Sequence, residues 1–234
     1  MSEARQFPQR PFERPAGACE ILLVRHGASA PYVEGGDPFP TADGHGDPPL
    51  DPAGVVQAER VADRLVAAGE PIAAIYVTTL QRTAQPAAPL AARLGIEPRV
   101  EADLREVHLG EWEGGLLRQK MADGDPIAIA MRTEQRWDVI PGAEPAEQLA
   151  RRVRAGIGRI AAAHPDELVV AFVHGGVIGE VMNIAVGTSG FRFTGADNAS
   201  IHHIVVDGDR WVIRCFNDTS HLSPTFTTAP EPLT

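Results

Sequence analysis

Two apolar runs in the 234-residue sequence each break off at a histidine. "EILLVRHGASA" (residues 20–30) leads into Arg25-His26-Gly27, and "ELVVAFV" (167–173) leads into His174-Gly175-Gly176. A third run, "IAAIYV" (72–77), is followed within about one helical turn by Arg82. Short apolar runs of this kind read as strands covered on both faces, as in a parallel sheet. Open α/β sheets take ligands beyond the carboxyl ends of their strands. A single Arg-His pair at such an end is compatible with several chemistries. If the three strands are neighbours, two imidazoles and two guanidiniums share one pocket, and their repulsion is tolerable only around an anion. Guanidiniums fork onto phosphate oxygens and the amides of a helix start add donors, so phosphate is the natural guest. Twenty of the 21 basic residues are arginine and only Lys120 is lysine, so position and not residue type carries the inference.

The elements that would position these groups can be read from period and punctuation. Asp51-Pro52 reads as the cap and first residue of a helix ending at Gly69, with Val55, Val56, Ala58, Val61, Ala62, Leu65 and Val66 on its apolar face. "TLQRTAQPAAPLAARLG" has helical spacing, but Pro86 and Pro89 predict a kink or a late start. A short extended piece is expected near Arg99, a loop over 104–115, and polar helices near 116–122 and 126–136. A strong helix is predicted over Glu144–Ala163 and another after His174 to about Ala185. "SIHHIVVDGDRWVIRCF" reads as a hairpin turning at Asp207-Gly208-Asp209. The alternation predicts an α/β fold: a mostly parallel central sheet with helices on both faces, a C-terminal hairpin and a small helical insertion over the site. One domain over 19–216 is expected, with the insertion at about 104–143, a flexible arm over 1–18 and an irregular tail over 217–234.

Bulk composition narrows the partners. A formal charge of −10 argues against nucleic acid or an anionic membrane surface as partner, and 44% hydrophobic residues suffice for a sizeable core. The absence of an apolar h-region or a long apolar run predicts a cytoplasmic protein. Cys19 and Cys215 show no metal or redox spacing. His202 and His203 are adjacent in a predicted strand and so point to opposite faces, while His45, His108, His164 and His221 lack ligand spacing; no metal site and no cofactor are expected.

Taken together, "LLVRHG" (22–27), "TTLQRTAQPA" (78–87), "LREVHLGEWEG" (104–114), "VVAFVHGGVI" (169–178) and "NAS" (198–200) resemble the histidine phosphatase superfamily, in the branch that includes cofactor-dependent phosphoglycerate mutases. "PLDPAGVVQAERVADRL" (49–65) is similar to the helix after that family's first loop, and the likeness spans roughly residues 20–206. The resemblance implies that His26 takes the phosphoryl group, that Arg25, Arg82 and His174 hold the phosphate oxygens, and that Glu106 protonates the leaving oxygen. Gly27, Ser29, Tyr32 and Gly175 would border the substrate. Ser29 either donates to the phosphate or shapes the turn, and Glu111 and Glu113 serve as caps or ion-pair partners. A phosphohistidine splits one hard displacement into two easier ones, and general-acid assistance contributes about 10²–10⁴-fold. Activity is expected to favour mildly acidic pH.

Two departures from the family pattern bear on function. Tyr32 stands where many relatives carry an Asn six positions after the nucleophile. The mutases' Glu-Arg-His-Tyr-Gly run is here Glu106-Val107-His108-Leu109-Gly110, with only Arg118 and Lys120 close behind. The reading is therefore a metal-independent phosphomonoesterase acting on a small phosphorylated metabolite. A bisphosphoglycerate-dependent mutase-type transferase and a catalytically weak phospho-ligand-binding relative are the alternatives, and a homodimer is possible by family analogy. Glu34, Asp37, Asp43, Asp123 and Asp125 would disfavour a second phosphate if they faced the pocket.

Overall fold

A computed structural model describes residues 7–223. Strands β1 (Cys19–Arg25), β4 (Ile72–Val77), β5 (Arg99–Val100) and β6 (Leu168–Val173) run parallel, and β7 (Ile201–Asp207) and β8 (Arg210–Asp218) add an antiparallel edge. The sheet order is β5-β4-β6-β1-β7-β8, so β6 lies between β1 and β4. That order sets the carboxyl ends of all three motif-bearing strands side by side, the juxtaposition that a phosphate pocket requires.

Both sheet faces are covered. Helices α5 (Ala146–Ala163) and α6 (Gly175–Val186) pack Leu149, Val153, Ile157 and Val181 against Ile21, Leu23 and Val169. Helices α1 (Pro52–Ala68) and α2 (Gln81–Leu94) pack Val61, Leu65, Ala87 and Leu90 against Val24, Ile75 and Phe172 on the other face. Alternate residues of β1 thus face opposite layers, the two-sided burial its unbroken apolar run implies. Between β1 and α1, β2 (Thr41–Ala42) and β3 (His45–Gly46) form a two-residue hairpin. A 3₁₀ segment over Gly110–Gly115 leads into α3 (Leu116–Ala122) and α4 (Pro126–Glu134). These build a small core of their own around Trp112, Leu117, Met131 and Ile140.

The structure corrects the sequence reading in three places. Helix α2 is continuous from Gln81 with both prolines inside; burial of Pro86 beside Ala87 and Leu90 outweighs the missing hydrogen bond. Val55, Val56 and Val66 are exposed, and the inward stripe of α1 is Gly54, Ala58, Val61, Ala62 and Leu65. Helix α5 begins at Ala146, not Glu144, because Pro145 stands at its N-cap. Elsewhere α1 opens on the Asp51 cap, which accepts from Gly54 N at 2.6 Å, and closes on left-handed Gly69. Within the expected arm, Arg14 bonds Asp166 O and Glu20, and Phe12 lies under the Arg214 guanidinium. Residues 1–6 and 224–234 of the expected arm and tail fall outside the described residues. Both cysteines are free, and among the described residues no helix is long and apolar enough to cross a membrane.

One close approach sets the entry to the site. A Cβ on Gly54 would stand 2.0 Å from Ala28 O, and one on Gly27 would stand 2.6 Å from Gly54 O. The loop after β1 thus lies directly on the first turn of α1. Gly54→Ala should push the two apart, destabilising the fold by about 3 kcal/mol and lowering Tm by about 6–12 °C. Val55→Ala, at an exposed neighbour, should stay within about 0.5 kcal/mol of the parent. Thermal and urea unfolding of the two variants check this.

Candidate active site

Both strand tips are held by backbone bonds before any side chain acts. His26 N donates to Val173 O at 3.0 Å and Arg25 N to Ser200 O at 3.1 Å, while Ala199 N and Asn198 Nδ2 both donate to His26 O. These bonds bring the rings of His26 and His174 edge-to-face with centroids 5.3 Å apart. A cavity enclosing about 90 Å³ and open to solvent on one side lies beside them. His26, Arg25, Arg82, Glu106 and Arg118 all line it.

Each guanidinium is tied to a loop carbonyl. Arg25 Nη1 donates to Ala196 O, Arg82 Nη1 to Gly46 O at 2.7 Å, and Arg118 Nη1 to Ala30 O at 2.7 Å. Arg118 also donates to Ser29 Oγ at 2.7 Å and lies over the Phe39 ring. Burial lowers the pKa of Arg82 and Arg118; Arg82 and Arg25 lower that of Arg118 further, whereas Glu106 and Asp47 oppose the shift at Arg82. With intrinsic values above 12, all three guanidiniums remain charged at neutral pH.

The imidazoles respond differently. Burial first, then the charges of Arg82 and Arg25, push the His26 pKa well below its usual range. His174 is lowered well below that range too, by burial, then Arg82 and His26. Both are neutral near pH 7, which removes much of the self-repulsion inherent in the sequence reading. His26 Nδ1 lies 2.8 Å from Gly27 O. A carbonyl only accepts, so Nδ1 carries the proton and Nε2 keeps the lone pair. Around His174, Thr83 Oγ1 gives its proton to Leu80 O, so Thr78 Oγ1 must donate to Thr83. Thr78 Oγ1 therefore accepts from His174 Nε2 at 3.0 Å. The lone pair of His174 falls on Nδ1, which is buried with no hydrogen-bond partner.

Glu106 is placed by Arg152. That guanidinium donates to the carbonyls of Asp103, Arg105 and Glu106 at 2.6–2.9 Å and makes a two-pronged pair with the buried Glu144 carboxylate. The Glu106 carboxylate accepts from Val107 N at 3.0 Å and from Gly176 N, at the start of α6, at 3.3 Å. A Cβ on Gly176 would stand 2.6 Å from Glu106 Oε1, so a larger residue there would displace the Glu106 carboxylate.

The structure brings His26, Arg25, Arg82 and Glu106 to one cavity, whereas His174 is fully buried against the His26 ring and is not among the described residues lining it. Gly175 adjoins them, since a Cβ there would meet Arg25 Nε at 3.3 Å. Gly27 packs on Gly54, and Ser29 is held by Arg118. Tyr32 lies edge-on to Phe39 and is not among the described residues lining the cavity. None of the five acidic residues suspected of facing the pocket lines it: Asp43 pairs with Arg105, Asp125 with Lys120, and Glu34 accepts from Gln119. Sequence reasoning missed Arg118 as a third cation of the cavity, and His45 as part of its wall. Burial, with His108 and nearby arginines, lowers the His45 pKa to about 4. Glu113 joins the loops bearing these groups, accepting from Gly46 N at 2.6 Å and Leu109 N at 2.8 Å. Among the described residues, no group of three or more His, Cys, Asp or Glu side chains could hold a metal ion.

Comparison with known proteins agrees with this geometry. The model of the histidine phosphatase superfamily (branch 1) matches residues 21–219. The chain is 35% identical over 210 residues to phosphoglycerate mutase-like protein 4 of Arabidopsis thaliana, covering 88% of each. It is 31% identical over 208 residues to the metal-independent phosphoserine phosphatase of the same plant, covering 87% of this chain and 83% of that one. The native structure of a mycobacterial glucosyl-3-phosphoglycerate phosphatase superposes with a TM-score of 0.70 at 27% identity, over 86% of this chain and 100% of that one. The chain belongs to the histidine phosphatase superfamily.

The buried neutral histidines make stability sensitive to acid. Their folded pKa values lie below the unfolded value near 6.5, so the unfolded state binds the extra protons. Stability is complete above about pH 6.5 and falls as the pH drops from there toward the folded values. The group comprises His26, His174, His45 at about 4 and His202 at about 3. Each should cost roughly 1–2 kcal/mol between pH 7 and pH 5. The urea midpoint should fall accordingly, and inorganic phosphate should restore part of the loss by compensating charge in the cavity.

Proposed function

We propose that this superfamily member is a phosphomonoester hydrolase working through a phosphohistidine on His26. The observation that carries the reading is the state of that ring: neutral, its Nδ1 proton held by Gly27 O, its Nε2 pair left for attack inside a wall of guanidiniums. In the first step Nε2 attacks phosphorus and the bond to the ester oxygen breaks. Glu106 gives a proton to the departing alkoxide. In the second, water attacks the phosphohistidine, Glu106 takes the water's proton, and inorganic phosphate leaves with His26 regenerated. Arg25, Arg82 and Arg118 stabilise the charge on the transferring oxygens without reorganising, since each is already fixed to a carbonyl. A mildly acidic optimum belongs to the same reading, since the departing alkoxide needs a proton-bearing acid.

The relatives named as phosphoserine and glucosyl-3-phosphoglycerate phosphatases support hydrolysis over transfer. Lys120, one of the two cations near enough in sequence to serve a mutase's second anion, is paired with Asp125 at 2.9 Å. Action on a small phosphorylated metabolite in the cytoplasm belongs to the same proposal.

His26→Ala should abolish phosphate release from an aryl phosphate in the presence of EDTA. Acid-labile, alkali-stable phosphoprotein should appear in the parent after rapid quench and be absent from the variant. Glu106→Gln should lower kcat/KM, which reports the transfer to His26, by about 10²–10⁴-fold for alkyl phosphates and much less for nitrophenyl phosphate, because nitrophenolate leaves without a proton. Full activity in His26→Ala, or equal effects of Glu106→Gln on kcat/KM for both ester types, would exclude the assigned roles.

A further inference from the structure

A second cavity opens off the first. It encloses about 50 Å³ and continues into open solvent, and Glu106, Val107, Leu109 and Leu117 line both. Beyond these shared residues its wall is apolar: Met121 and Met131 from α3 and α4, with Trp137 and Phe191, whose ring centroids lie 4.6 Å apart. Leu117, Met131 and Trp137 belong to the small core of the inserted helices, so the cavity is an unfilled flank of that core facing the catalytic space.

The polar groups around it are few and mostly committed. Thr194 Oγ1 donates to Phe191 O, and Gly176 N donates to Glu106. Arg132 is exposed, and among the described residues it has no hydrogen-bond or ion-pair partner. A hydroxyl-bearing body placed here would give up water for walls with few free partners, a cost of order 1–3 kcal/mol per unpaired group, and Arg132, the one cation among the described lining residues, is exposed and keeps its own water. An apolar body would gain by the same burial.

We propose that this cavity receives the alcohol portion of the substrate, and that the preferred substrates are phosphate monoesters of apolar alcohols, aliphatic or aromatic, and not of amino acids, sugars or polyols. The inference rests on the phosphatase reading, because Glu106 at the junction must reach the ester oxygen while the rest of the alcohol lies along Leu117, Met121 and Phe191. The two methionines suit such a role, their flexible thioether chains adapting to more than one apolar shape.

A homologous series of ethyl, butyl and hexyl phosphates separates this preference from leaving-group reactivity, since their alcohols have nearly the same acidity. Each newly buried methylene should raise kcat/KM by roughly fourfold, so hexyl phosphate should exceed ethyl phosphate by about 16-fold if two of its four extra methylenes are buried and by about 250-fold if all four are. Phosphoserine and glycerol 3-phosphate should fall below butyl phosphate. Met121→Glu and Phe191→Ser, made separately at partly exposed positions, should each flatten the series. A flat or falling series in the parent, with phosphoserine or glycerol 3-phosphate hydrolysed at least as well, overturns the inference and leaves the phosphatase reading standing. Failure to hydrolyse any ester defeats the phosphatase reading itself and this inference with it.

Discussion

Keeping five nitrogen-rich side chains at one sheet edge without an anion is the constraint around which the rest of the molecule is arranged. Guanidiniums cannot shed their charge, so Arg25, Arg82 and Arg118 are each compensated by loop carbonyls. Imidazoles can, so His26 and His174 are neutral and fixed in defined tautomers. Burial therefore sorts the groups into permanent cations that hold an anion and neutral bases that can react with it.

The same bonds make the surrounding loops part of the site. Arg82 fixes the β2-β3 hairpin through Gly46, Arg118 fixes the segment after β1 through Ala30, and Glu113 joins Gly46 to Leu109. Arg152 gathers three carbonyls of the 103–106 segment and so determines where Glu106 can stand. A long connection whose regular structure is one two-residue hairpin can thus hold His45 and Gly46 in place. The cost is a cluster of buried polar contacts in which loss of one partner strands another.

Residues 20–27, 72–77 and 167–176 were legible because two-sided burial writes an unbroken apolar run and the chemistry follows at its end. The cap Asp51 and the stop at Gly69 were legible for equally local reasons. Val55 and Val56 were misplaced because the first turn of α1 meets the loop after β1 through Gly54, and a close backbone approach leaves no hydrophobic signal in sequence. The α2 prolines misled because the helix is held by packing that the sequence window does not contain. Arg118 and His45 were noted but not assigned to the site, since neither follows a strand expected from sequence: one is the third residue of a short helix and the other lies in a stretch without period. Only the fold brings them to the cavity.

The state of the His26 ring bears most of this weight, and nitrogen-15 NMR of histidine-labelled protein reads it directly. At pH 7, His26 should show a protonated Nδ1 and an unprotonated Nε2, with no titration down to about pH 5.5. A His26 resonance of the imidazolium form at pH 7, or a neutral ring with its proton on Nε2, would contradict the account.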